Sequence, residues 1–147
     1  MKILTLISIV VAVASISTVG KNKTIYADEQ VTYLALTSDF TWERANKNIP
    51  KYPLELARSG SRGCAVLSFN ISASGKTENV EIINSLPTKH LGKYSRKMLK
   101  TWKWVPVVTS TDTSREKRTL RLDFCMAGES TEQSQKACIQ QTKLTCG

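Results

Sequence analysis

The sequence predicts an exported α+β domain that contains a β-hairpin, an amphipathic helix and a further strand. Three observations lead to this prediction: an uncharged apolar run at the N-terminus, two later segments that alternate apolar and polar residues, and a helical apolar stripe between those segments. The chain has 147 residues. Removal of an N-terminal leader would leave about 120 residues, the size of one small domain.

Residues 1–27 have the pattern of a secretory signal peptide. A single lysine precedes an uncharged apolar run from Ile3 to Val19, and small residues follow. Cleavage is expected after Gly20 or after Ala27, and Ala27 is preferred because two lysines separate it from the apolar run. The run has about 17 residues, the lower limit for crossing a bilayer, so a retained anchor is the alternative. We predict cleavage, with no stable membrane span afterwards.

The net charge limits the classes of partner. It is +9 for the whole chain and +6 after cleavage at Ala27, which removes three lysines. A basic exported domain favours anionic partners such as lipid headgroups, cell-wall polymers or acidic protein surfaces. Export argues against a nucleic-acid partner.

Four cysteines follow the export signal: Cys64, Cys125, Cys138 and Cys146. An even count in an exported chain predicts two disulfides, for which three pairings are possible. The cysteines are widely spaced and the only histidine, His90, is distant from them, so no metal site is predicted.

The segment before the hairpin is an N-terminal extension, residues 28–47, followed by a short helix. Within the extension, VTYLAL is predicted to be a short strand, and DFTWERANKN could open a helix with Asp39 as N-cap and Glu43 in the first turn. The short helix spans Leu54–Arg58, because Pro53 is tolerated at a helix start and Gly60 favours its end.

The hairpin is the clearest local signal. In CAVLSFNI, Ala65, Leu67, Phe69 and Ile71 fall on one side and polar residues on the other, as in a half-buried strand. SASGKT is a turn, and ENVEIIN returns as the second strand with Val80 and Ile82 on one face.

An amphipathic helix is predicted from about Thr88 and cannot continue past Pro106. Its apolar stripe contains Leu91, Ser95, Met98, Leu99 and Trp102. Trp102 is therefore expected in the core rather than on a basic-aromatic surface, and Trp104 is expected to cover the helix end or the sheet edge. The cations on the other faces are Lys89, Lys93, Arg96, Lys97, Lys100 and Lys103.

TLRLDFCM is the third strand, with its apolar residues on one side and Arg121, Asp123 and Cys125 facing away. The tail, residues 128–147, is predicted to form a helix from about Thr131 with Ser130 as N-cap, held mainly by cysteine.

Catalysis finds little support in the sequence. His90 reads as an exposed residue at a helix start, no G-x-S-x-G is present, and the glycines at 60 and 63 lack the spacing and the lysine of a phosphate-binding loop. We therefore predict a non-enzyme without catalytic residues or cofactors.

Several motifs in order resemble the C-terminal domain of the TonB family: Tyr52-Pro53, GCAVLSFNISASGKTENVEI from Gly63, Pro87, and WKWVP from Trp102. The pattern runs without a gap from Asn48 to Pro106. The resemblance implies a domain over residues 48–127 with a three-stranded antiparallel sheet and two helices packed on one face. It also implies a periplasmic location.

Members of that family pair a sheet edge with an extended peptide of an outer-membrane transporter. The resemblance thus implies a protein-binding module that captures an extended segment of an envelope protein, and edge pairing could also form a homodimer. The expected contacts are Ile49, which stands where the family has a receptor-contacting glutamine, and the third strand: Thr119, Leu120, Arg121, Leu122, Asp123 and Phe124. Alternatively, the tail or the segment around Val31–Leu36 already covers this edge.

The resemblance also implies a disulfide pairing, because it makes the first and third strands antiparallel neighbours. Cys64 would then pair with Cys125, and Cys138 with Cys146. A second functional hypothesis is a cell-envelope module that holds an anionic polymer such as peptidoglycan through the basic helix.

Overall fold

A computed structural model describes residues 24–34, 40–48, 50–107, 111 and 113–147. The chain has an α+β fold, as predicted, with a four-stranded antiparallel sheet in the order β1-β6-β3-β4 and a two-stranded sheet of β2 and β5. The elements in chain order are β1 Ala27–Leu34, β2 Trp42–Arg44, α1 Leu54–Arg58, β3 Gly63–Ile71, β4 Thr77–Leu86, α2 Lys89–Leu99, β5 Trp104–Pro106, β6 Glu116–Met126 and α3 Thr131–Gln141.

The predicted hairpin forms β3 and β4, and its alternation sets which face is buried. Ala65, Leu67, Phe69 and Ile71 are all at most 1% exposed and face α1 and α2. Gly75 makes the turn with φ +75°, a left-handed conformation that favours glycine. A Cβ at this position would also lie 2.2 Å from the Trp104 carbonyl oxygen, so the turn and β5 can approach closely only with glycine.

The apolar stripe of α2 packs on this inner face of the sheet, as predicted. Leu91, Ser95 and Leu99 are buried, and Trp102, which follows the helix, belongs to the same core cluster. Trp104 was expected at the helix end or the sheet edge, but it is 3% exposed and stacks on Phe69 with ring centroids 5.4 Å apart.

The helix predicted around Trp42 is wrong, because Trp42–Arg44 forms strand β2 and pairs with β5. Trp42 is buried and its indole N–H donates to the carbonyl of Ser114 at 2.9 Å. Arg118 donates to the backbone carbonyl of Trp42, which further fixes this segment. These contacts are distant in sequence and override the weak local helix signal. The proposed N-cap, Asp39, lies outside the described residues.

The predicted arrangement, in which two helices pack on one face of the sheet, lacks one element. Helix α3 covers the opposite face, over β1 and β6. The predicted cap of α3 is confirmed: the Ser130 hydroxyl accepts from the backbone N–H of Gln133 at 3.2 Å. The sheet also has a fourth strand, β1, beside β6. The apolar run Ile3–Val19 lies outside the described residues, and no helix within them is long and apolar enough to cross a membrane.

Candidate functional site

The third strand of the prediction, now β6, is not a free edge in this structure. Strand β1 pairs antiparallel along it, with Ala27 opposite Met126 and Leu34 opposite Thr119. On its other side β6 pairs antiparallel with the whole of β3, from Glu116 opposite Ile71 to Phe124 opposite Gly63. The prediction that Thr119–Phe124 forms an exposed edge is therefore wrong, and the alternative that the segment around Val31 covers it is correct. The expected contact Leu120–Leu122 lies in the interior of the sheet.

Strand β1 follows the alternation of β6. Its inward residues Glu29, Val31 and Tyr33 lie opposite Phe124, Leu122 and Leu120. Val31 and Tyr33 pack against the core cluster, while Glu29 interrupts the apolar pattern and is nevertheless buried. The alternation of Val31 and Tyr33 was the only sequence signal for this strand, and it could not indicate the pairing partner.

Arg121 and Asp123 were expected to face solvent on the free edge, but both lie beneath α3. The guanidinium of Arg121 holds both carboxylate oxygens of Asp123 at 2.8 Å, and Asp123 is fully buried. Arg121 also donates to the carbonyl of Gln141 at 3.0 Å, and the Gln141 amide donates to Asp123 at 3.1 Å. The pair is thus a buried ion pair with its remaining hydrogen bonds satisfied, which attaches the tail to the sheet.

The predicted disulfide pairing is also wrong: Cys64 bonds Cys146, and Cys125 bonds Cys138. Cys64 and Cys125 do share the outer face, but Cys64 lies opposite Asp123 in the register. Cys125 is therefore a diagonal neighbour of Cys64, at about 7–8 Å, beyond the usual reach of a disulfide. The helix α3 instead brings Cys138 over Cys125, with a Cα–Cα distance of 5.2 Å, and the chain end brings Cys146 to Cys64 at 5.9 Å.

Glu29 is the least favourably placed group at this edge. It is 3% exposed, and neither of its carboxyl oxygens has a hydrogen-bond partner within the described residues. Burial raises the pKa of Glu29 to about 8; Arg44 opposes this shift and Asp28 adds to it. Burial, reinforced by the charge of Glu29, also raises the pKa of the neighbouring Tyr52. Strand β1 therefore lies on β6 with a buried carboxyl group whose ionisation is disfavoured there.

The outer edge of β4 is the other end of the four-stranded sheet. Two register shifts interrupt its pairing with β3, and Asn79 has a left-handed φ of 49°. Bulges of this kind twist an edge and disfavour addition of another strand. Of the two ends of the sheet, the β1–β6 end is the more regular.

Two residues singled out in the sequence remain, His90 and Ile49. His90 is exposed at the start of α2, and its ring packs edge-on against that of Tyr94, with ring centroids 5.6 Å apart. Ile49 lies outside the described residues. No cluster of three potential metal ligands occurs among the residues that the structure describes.

Comparison with known proteins agrees with the resemblance read from the sequence. The family model described as "Gram-negative bacterial TonB protein C-terminal" matches residues 48–126, more than half of the chain. Among solved structures, the chain is similar to the solution NMR structure of the TonB C-terminal domain of Pseudomonas aeruginosa. That match has 19% sequence identity and a TM-score of 0.46, and it covers 63% of this chain and 92% of the other. No curated protein matches the sequence.

Proposed function

The chain belongs to the TonB C-terminal family, and we propose that it is a non-enzymatic periplasmic module that captures an extended segment of an envelope protein. Domains of this family take part in the interactions of envelope transport proteins. In this proposal the segment adds to β6 as an antiparallel strand and replaces β1. The module consists of residues 48–127. Residues 28–47 are an N-terminal extension, of which only β1 is displaced while β2 stays paired with β5, and residues 128–147 are the disulfide-tied tail.

The observation that carries the proposal is the docking of β1 itself. An eight-residue strand lies on β6 in continuous register, from Ala27 opposite Met126 to Leu34 opposite Thr119. The β6 edge is thus straight and accepts an added strand through main-chain hydrogen bonds, the interaction on which β-strand addition depends. A segment from another protein can make the same bonds only where β1 leaves.

Replacement of β1 is favoured by its side chains. Among the described residues the buried Glu29 carboxyl has no hydrogen-bond partner, and Asp28 beside it is 8% exposed. A partner strand with an apolar residue opposite Phe124 would fill the same space without burying a carboxyl group. The core beneath β1 consists of Phe124, Leu122 and Leu120, all fully buried, so alternate apolar side chains of the partner would contact them.

A disulfide that locks β1 to β6 tests this mechanism. Leu34 and Thr119 are opposite each other and only half-buried, so Leu34→Cys with Thr119→Cys can bridge the two strands. Purified wild-type and locked proteins, each carrying a photo-crosslinker at Lys117, would be incubated with detergent extracts of the native envelope. We expect the wild-type protein to crosslink to a partner and the locked protein to lose this product.

The two single-cysteine variants are the matched controls, because each changes a side chain without locking the strand. Non-reducing peptide mapping would verify that Cys64–Cys146 and Cys125–Cys138 remain intact in the locked protein. Equal crosslinking by the locked and wild-type proteins would show that capture does not require removal of β1, and would contradict the proposal.

A second candidate function rests on the charge of α2. The six cations on and just after this helix are exposed, and none forms an ion pair with a carboxylate in the described part of the chain. Such a surface favours an anionic polymer such as peptidoglycan. Sedimentation with purified cell wall that is reversed by about 0.5 M salt would support this function, because screening is strong at that ionic strength. Failure to sediment at low salt would exclude it.

A further inference from the structure

A groove lies between the segment after β2 and the end of α2. It is on the side of the sheet on which α2 packs, and α3 covers the other side. It has a volume of about 640 Å³. One wall is formed by residues 44–46, 48, 50 and 51, and the other by Met98 of α2 and by residues 101–103 that follow the helix. The volume lies within the range of about 300–1,000 Å³ that is typical of ligand sites.

Main-chain contacts hold the two walls in place. The backbone N–H of Ala45 donates to the carbonyl of Lys103 at 2.9 Å, and Arg44 pairs with Trp104 in the β2–β5 sheet. The guanidinium of Arg44 lies 4.5 Å from the centre of the Trp102 ring and donates to the carbonyl of Asn48 at 2.6 Å. The groove is therefore formed before any ligand arrives, which lowers the entropy lost on binding.

The charge of the lining has one sign. Arg44, Lys51 and Lys103 line the groove, and no acidic residue does. None of these three cations forms an ion pair within the residues that the structure describes. The nearest acidic residue in sequence, Glu43, is paired with Lys47 at 2.9 Å. The cations are thus available to an anion from outside the domain.

The floor of the groove is apolar. Met98 is half-buried and Trp102 is 9% exposed, and both residues line the groove together with the three cations. The groove is also lined by two asparagines, Asn46 and Asn48. Cations around an apolar floor with amides beside it match a peptide that carries carboxylates next to an apolar side chain.

We propose that this groove binds a short acidic segment of a partner protein, with carboxylates at Arg44 and Lys103 and an apolar side chain on Trp102 and Met98. The inference is independent of strand addition, because no residue of β1 or β6 lines the groove. Guanidinium–carboxylate contacts are charge-assisted and stronger than neutral hydrogen bonds, so acidic side chains should determine the affinity.

The test is a titration of the whole mature protein with N-acetyl-Glu-Leu-Glu amide, followed by amide and indole NMR shifts. We expect shifts at Ala45, Trp102 and Lys103, and at least a tenfold weaker affinity for the neutral peptide N-acetyl-Gln-Leu-Gln amide. Lys103→Gln should weaken binding by about tenfold, the effect of losing one charge-assisted contact. The matched control is Lys89→Gln, an exposed cation at the opposite end of α2, which should bind as the wild-type protein does.

Arg44→Gln is a second probe, used if the amide spectrum of the variant shows that the fold is retained. If Arg44→Gln does not fold, Lys51→Gln and Lys103→Gln still decide the test, because both side chains are exposed. Equal affinity for the acidic and neutral peptides would overturn the proposal. An equal loss of peptide affinity in Lys89→Gln and Lys103→Gln would also overturn it. The same holds if inorganic phosphate binds as tightly as the acidic peptide, because the groove would then be only a general anion-binding surface.

Discussion

Replacement of Glu29 by glutamine should remove a large part of the pH dependence of folding between pH 5 and pH 8. The side chain is buried and has no hydrogen-bond partner in the described part of the chain, and burial raises its pKa from 4.5 to about 8. Glutamine has the same size and no charge to desolvate. The substitution therefore removes the proton linkage while leaving the packing against Phe124 in place.

The sign of the effect follows from proton uptake. Between pH 4.5 and pH 8 the folded protein holds a proton on Glu29 that the unfolded chain has lost, so stability falls as pH rises through this window. The slope is about 1.4 kcal/mol per pH unit at most, and thus about 2.5 kcal/mol between pH 5.5 and 7.5. Above pH 8 the carboxyl is ionised in both states and the dependence on Glu29 ends. This loss is a large part of a typical stability of about 5–15 kcal/mol.

The assay is urea unfolding at five pH values from 5 to 9, followed by tryptophan fluorescence, for the wild type, Glu29→Gln and the control Glu55→Gln. Glu55 is exposed in α1, so its substitution should leave the slope unchanged. The difference in unfolding free energy between Glu29→Gln and wild type should increase in favour of the variant from pH 5 to pH 8. A difference that is constant across this range would refute the assignment of a buried protonated carboxyl.

Three further predictions test the core and the tail. Trp102→Ala should lower the unfolding free energy by about 3–5 kcal/mol, the range for emptying a large aromatic site, whereas Lys100→Ala should change it by less than about 0.5 kcal/mol. Calorimetry would compare the two variants. A Trp102→Ala variant with normal stability that has lost a ligand would contradict the assignment of Trp102 to the core. Arg121→Ala leaves Asp123 buried and unpaired and should cost about 3–5 kcal/mol, so a change below about 1 kcal/mol in urea unfolding would exclude the buried ion pair. In the chain-entropy model, loss of the Cys64–Cys146 disulfide, which spans 82 residues, should lower the unfolding free energy by about 4.5 kcal/mol. Loss of Cys125–Cys138, which spans 13 residues, should lower it by about 3 kcal/mol. The two Cys→Ser double variants test this order, and a larger loss for the shorter loop would contradict it.

The elements that sequence predicted well are those whose burial pattern is local. The alternation from Ala65 to Ile71 fixed the inner face of β3, and the stripe from Leu91 to Leu99 fixed the buried side of α2. The Ser130 cap gave the start of α3 because it forms its hydrogen bond within one turn. In each case the residues that decide the structure are near one another in the chain.

The errors concern contacts between distant residues. VTYLAL is predicted to be a strand, but nothing local shows that its described residues, 31–34, pair with β6. The carboxylate of Glu29 also interrupts the apolar alternation that would suggest burial. The expected helix at Trp42 became β2 through its pairing with Pro106. The disulfide pairing depended on the register and on the path of α3, neither of which the cysteine spacing defines.

Hydrogen exchange of the native protein tests most directly whether β1 is a replaceable strand on the partner-binding edge. Amides of residues 28–34 of β1, which both expected cleavage points leave in the protein, would be compared at pH 7 with those of Gly63–Ile71 in the interior strand β3, by mass spectrometry or NMR. The proposal predicts that β1 amides exchange through a local opening well below the global unfolding free energy, while β3 amides exchange only on global unfolding. It also predicts slower exchange of β1 in Glu29→Gln. Equal opening free energies for β1 and β3 would mean that β1 leaves only when the domain unfolds, and would contradict strand replacement.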